Sequence, residues 1–158
     1  MKKIIIICFL LLITKNLVAQ EIKNLSFVLV VNDEIVSIRS KLTFIVTTDI
    51  STENLTAIYY PGTLSLNKLD YEKLISPSTK TIYLKYHDTV YIDGKANYYD
   101  FEIEYQKGWL QDLYNILRIY DLNCKKNRKK FEALSPTKNY TFELTSPNST
   151  FLRVRKKL

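Results

Sequence analysis

The chain has 158 residues, a formal net charge of +7, 46% hydrophobic residues, 12 Tyr and 7 Phe, but only 3 Gly, 4 Pro, 2 Cys and 1 His. This composition excludes collagen-like, low-complexity and disordered classes, and one histidine excludes a metal site with two imidazoles or a mechanism with paired histidines. Neither an EF-hand loop nor a glycine-rich phosphate loop is present.

Lys2 and Lys3 precede an uninterrupted apolar run, Ile4 to Ile13, and Leu17-Val18-Ala19 offers small or apolar side chains for cleavage before Gln20. This pattern predicts a secretory signal peptide over residues 1–19, cut between Ala19 and Gln20, and a secreted or periplasmic product. The run is too short to cross a hydrocarbon core of roughly 30 Å, so no membrane span is expected. Cys8 lies inside the run rather than at its end, which argues against acylation there. Removing residues 1–19 from the 158 leaves 139, enough for one domain, residues 20–158, burying roughly two-thirds of the surface its unfolded chain exposes. Only Cys124 then remains, and one thiol closes no intramolecular disulfide.

Strand signals dominate the chain beyond Gln20. Leu25 to Val31 is a compact apolar run; Ile35 to Ile38 leads into Leu42 to Thr47, and both are rich in β-branched residues. They predict at least two strands, adjacent to one another. A short apolar segment through Ile58, Tyr59 and Tyr60 ends at the turn dipeptide Pro61-Gly62. Ser65 is placed to cap one short helix near residues 66–75, with Leu66, Leu69 and Lys73 or Leu74 on one face and Ser76-Pro77-Ser78 as its stop.

From Thr79 the period returns to two. In Tyr99-Asp100-Phe101-Glu102-Ile103-Glu104-Tyr105 the apolar side chains fall on one face and the three acids on the other, as in a half-buried antiparallel strand. Asp93-Gly94 supplies a tight turn back to Val90–Ile92. Residues 110–122 fit helix and strand; their Ile and Tyr content favours a strand over 114–122, paired through a polar turn at Asn123 to Asn127 with Arg128 to Leu134. Tyr140 to Thr145 and Thr150 to Lys156 form a final hairpin. The expected fold is all-β: an antiparallel β-sandwich, immunoglobulin-like in architecture, without the Cys and Trp spacing of true immunoglobulin domains. An outer-membrane barrel is the structural rival, disfavoured by scarce glycine and short strands.

Charge is polarised along the chain. Residues 20–122 carry 10 basic and 14 acidic side chains, whereas residues 123–158 carry 10 basic and 2 acidic. Lys125, Lys126, Arg128, Lys129 and Lys130 form the most concentrated polar feature, and Arg153, Arg155 and Lys157 share one face of the last strand. Together they would make a cationic surface for phosphate, sulfate or carboxylate groups; the plainer reading is a solvated turn and a charged, edge-protecting terminus.

Asp100, Glu102 and Glu104, spaced roughly 6.6 Å apart along one strand face, suit a carboxylate pair of a glycosidase or a hard cation, or simply the wet side of a sheet. His87-Asp88 points to opposite strand faces, and Cys124 has basic neighbours but no base other than His87. Trp109, Tyr98 and Tyr99 could stack on sugar rings or fill a core. Asn-x-Ser/Thr sequons begin at Asn24, Asn54, Asn139 and Asn148, and Asp88-Thr89-Val90 matches a bacterial O-glycosylation pattern. The residues thus point to an exported, non-enzymatic binding module without cofactor, metal or nucleic acid. Its partner would be a protein, an anionic envelope glycan or a lipid head group. The alternative is a small secreted hydrolase acting on polysaccharide through the carboxylate row.

Overall fold

A computed structural model describes residues 21–92, 95–147, 149–153 and 155–156. The leader, its cleavage point at Ala19 and Gln20, the Asp93-Gly94 turn and Lys157 lie outside the described residues.

Twelve strands, two helices and one 3-10 turn are described. The strands are β1 (Ile22–Val31), β2 (Glu34–Ile35), β3 (Ser40–Thr47), β4 (Thr52–Tyr60), β5 (Gly62–Asn67), β6 (Thr81–Ile92), β7 (Lys95–Glu104), β8 (Asn115–Asp121), β9 (Phe131–Glu132), β10 (Tyr140–Ser146), β11 (Ser149–Arg153) and β12 (Arg155–Lys156). Helix α1 is Lys68–Ile75, the 3-10 turn Lys107–Gln111 and helix α2 Lys125–Lys130. The all-β class holds. The immunoglobulin-like sandwich is not confirmed, because hydrogen bonding follows one continuous path, β11-β10-β8-β1-β5-β4-β3-β6-β7, with β2 folded onto β1. That sheet curls into a nearly closed barrel, and its β1–β8 pair is parallel, Phe27 opposite Asn115 through Val31 opposite Ile119.

Local chemistry explains the path. Asn32 and Asp33 adopt φ of 54° and 73°, the left-handed region that a tight two-residue hairpin needs and that Asn and Asp tolerate best. The resulting hairpin is short, pairing only Val30–Ile35 and Val31–Glu34. The strand at Leu42–Thr47 is therefore not adjacent to β1 as expected. Pro61-Gly62 inserts β5 and β4 between them, with Gly62 at φ 87° as a type II turn after proline demands. Leu64 and Leu66 keep β5 extended through Asn67, so Asn67 rather than Ser65 caps α1, its Oδ1 accepting from Leu69 N at 2.9 Å. The later start turns Tyr71, Leu74 and Ile75 toward the barrel and leaves Leu69 exposed.

Inward positions fill the barrel. Phe27, Leu29, Leu42, Phe44, Tyr59, Leu84, Tyr86, Phe101 and Ile103 are all buried, with edge-on ring contacts such as Phe27–Tyr59 at 6.1 Å and Phe101–Tyr140 at 5.0 Å. Leu74 of α1 and Trp109 and Leu110 of the 3-10 turn are buried in the same core. The expected register of 99–105 is present: Tyr99, Phe101, Ile103 and Tyr105 are buried. The strand reading of 114–122 also stands, as β8.

The strands do not complete the circle. On the free edge of β7, Glu102 N donates to Tyr140 Oη at 2.8 Å, and that hydroxyl donates back to Glu102 O. Lys138 Nζ donates to the same carbonyl at 2.9 Å. A phenol at the start of β10 thus satisfies an edge residue that would otherwise template further pairing.

Two expectations about the chain's end are corrected. Residues 125–130 form helix α2 instead of a turn feeding a strand, and β8 pairs on that side with β10, Tyr140 opposite Asp121. Lys and Arg are good helix formers, and the β-favouring residues begin only at Phe131. The β10–β11 hairpin is present, but after Arg153 the chain leaves the barrel and β12 pairs with β9, Arg155 opposite Glu132. Among the described residues, no helix is long and apolar enough to cross a membrane.

Replacing Phe101 with Ala removes a ring packed against Tyr86, Tyr99 and Tyr140. Denaturant titration should show a loss of about 3–5 kcal/mol, and a loss below about 1 kcal/mol would contradict the register.

A cationic helix latched to the barrel end

The five clustered cations share α2, which sits where β1 and β8 end. Its anchor is Asn127, 1% exposed, whose Nδ2 donates to Asn32 Oδ1 at 2.6 Å and to Asp121 O at 3.1 Å. Asn32 Oδ1 also accepts from Asp121 N at 2.9 Å, so one amide oxygen holds the β1–β2 turn, the end of β8 and the helix. Asp121 Oδ1 accepts from Asn123 N at 2.9 Å, shaping the bend into α2. The left-handed turn and the helix therefore support each other.

Charge placement on α2 is asymmetric. Arg128, Lys129 and Lys130 occupy the last turn, where the helix dipole favours cations. Lys125 and Lys126 occupy the first turn, where it does not. Lys126 is compensated by Asp33, whose Oδ2 lies 2.8 Å from its Nζ and, by accepting that hydrogen bond, holds the ammonium pKa above its ordinary value. Lys125, Arg128, Lys129 and Lys130 are exposed and have no ion-pair partner among the described residues.

The two expected cationic segments approach each other along the backbone. Arg155 pairs with Glu132, two residues beyond α2, while Arg153 pairs with Phe142 at the neighbouring edge of the barrel. Beside α2 opens a cleft of about 520 Å³, lined by Asn123, Arg128, Phe131, Glu132, Lys138 and Asn139 among others. Phe131 lines it with its ring tilted against Tyr120 of the barrel's outer face, the centroids 4.5 Å apart. Sequence reasoning missed Phe131, Lys138 and Asn139; the polar run Ser135-Pro136-Thr137-Lys138-Asn139 was the available signal for a loop there.

A larger groove of about 750 Å³ lies at the opposite end, between the β3–β4 turn and α1, with Val46, Leu55, Ile50 and Leu69 among its apolar lining. Two of its acids are paired, Glu53 with Lys73 at 2.7 Å and Asp49 with the adjoining Lys80 at 3.3 Å.

The other candidates disperse. Asp100 and Glu104 are exposed and Glu102 half-buried on the outward side of β7, and Asp100 is paired with Lys85 at 3.2 Å and His87 at 3.5 Å. Asp88 turns the other way and accepts from Ser40 and Tyr86, whose phenol is pushed up in pKa by burial and by that carboxylate. Trp109 and Tyr99 are core residues, while Tyr98 is exposed. Cys124 precedes α2 as a half-buried free thiol.

Burial also pushes the Asp121 carboxyl above its ordinary pKa, only partly offset by hydrogen bonds from Asn123. A carboxyl raised in the folded state binds its proton more tightly folded than unfolded. Its contribution to stability is therefore present at low pH and lost as pH rises from the unfolded to the raised folded value. Asp121→Asn keeps an acceptor for Asn123 and cannot ionise. Its stability relative to the wild type should rise as pH increases above about 3.9, the ordinary carboxyl value, measured by urea unfolding, and a flat difference would contradict the assignment.

Compared with protein-family models, curated proteins and solved structures, the chain matches none.

Proposed function

We propose that this chain is an exported binding module of the bacterial cell envelope that takes an anionic partner at the barrel end bearing α2. The observation that supports it is the set of exposed cations Lys125, Arg128, Lys129 and Lys130, without an ion-pair partner among the described residues and held on a helix whose orientation is fixed by buried Asn127. Like charges gathered on one short helix repel one another, and an anion bound there relieves that repulsion while steering encounter. Arg153 and Arg155 add cationic positions along β11 and β12. The lysine-led apolar leader supports export. Binding is favoured over hydrolysis because the Asp100 carboxylate on the acidic row faces solvent beside Lys85 instead of a second carboxylate in a cleft.

The triple variant Arg128→Gln, Lys129→Gln, Lys130→Gln tests the reading. Glutamine removes charge without setting acids against the dipole at the helix end, a conflict worth about 0.3–1 kcal/mol per residue. The wild type should be retained on immobilised dextran sulfate and released as salt screens the contact. The variant should elute at clearly lower salt with unchanged thermal stability, and co-elution with the wild type would refute the proposal.

A further inference from the structure

We infer that the cleft beside α2 is a subsite for a carboxylated saccharide, an inference that rests on the anionic-partner reading and narrows it to one chemistry. The lining is not that of a bare anion site. Arg128 offers a planar guanidinium, which matches a carboxylate in a bidentate fork. Glu132, on the same wall, repels a multiply charged phosphate but accepts hydrogen bonds from hydroxyls. Asn123 and Asn139 add amides that both donate and accept, and both residues are exposed.

The apolar part of the wall fits the same ligand. Phe131 is half-buried, supported from behind by Tyr120, and lines the cleft with Pro136, giving the C–H face of a sugar ring a surface to lie on. Lys138 lines the cleft as well, with its ammonium held away on Glu102 O, so Arg128 is left as the cation for the carboxylate. One carboxylate, several hydroxyls and one apolar face describe a uronic acid unit. A phosphate without neighbouring hydroxyls would give Glu132 no donor and set its charge against the carboxylate. The volume of about 520 Å³ suits one or two sugar rings.

The closing experiment uses the mature protein and three probes: the trisaccharide of galacturonic acid, neutral maltotriose, and immobilised dextran sulfate. Calorimetry should show the galacturonate trisaccharide binding at least about tenfold more tightly than maltotriose, as one charge-assisted hydrogen bond provides. Arg128→Gln should remove that difference. Asn139→Ala should weaken the trisaccharide severalfold while leaving dextran sulfate elution unchanged; the native fold needs only the Asn139 backbone carbonyl, which accepts from Leu122 N at 2.8 Å. If the two trisaccharides bind alike, or neither binds, while dextran sulfate retains the protein, the saccharide inference fails and the anionic-partner reading stands. If dextran sulfate does not retain the protein either, both fall.

Discussion

The hydroxyl of Tyr140 is the constraint on which the rest of the molecule depends. A ten-stranded sheet that curls without closing has two edges, and an unpaired edge carries backbone donors and acceptors that invite further strands. Here one phenol bonds both the N–H and the C=O of Glu102, and its ring packs on Phe101 one residue away. The contact joins β7 to the start of β10 and thereby fixes Lys138 and the loop that forms one wall of the cleft. A long-range side-chain contact does what a strand ladder does elsewhere in the barrel.

A second small group of atoms determines where charge is displayed. Asn32 sits in a left-handed turn, and its side-chain oxygen gathers the Asp121 N–H and the Asn127 amide. The helix so held is too short to be stable alone, since isolated helices below about 12–15 residues are marginal in water. Its six residues persist because Asn127 is buried and because the dipole suits the cations of the last turn. Fold and charge display are thus coupled through one buried amide.

Much of the local structure is legible in the sequence. The alternation from Tyr99 to Tyr105 states its own burial pattern, Pro61-Gly62 marks its turn, and the basic cluster is visible as composition. What escapes is pairing between distant segments. Nothing local distinguishes a sandwich from one rolled sheet, because both need half-buried strands; the difference lies in the parallel meeting of β1 with β8 and in the two bonds between Tyr140 and Glu102. Residues 125–130 mislead for a different reason. A run of lysines and arginines reads as solvated turn or as helix, and only the contact of Asn127 with Asn32, far away in sequence, settles the choice. The cleft residues Phe131 and Asn139 acquire meaning only once β9 and the following loop are placed against Tyr120.

The most direct test of this account is amide hydrogen exchange at Glu102, followed by NMR in the wild type and in Tyr140→Phe. An edge amide without a ladder partner exchanges nearly freely, whereas one held by a buried phenol is protected to the extent of the local opening energy. The account predicts clear protection of Glu102 in the wild type and its loss in the variant, with the interior amides of β3 and β4 unchanged. Equal exchange at Glu102 in the two proteins would contradict closure of the barrel by Tyr140.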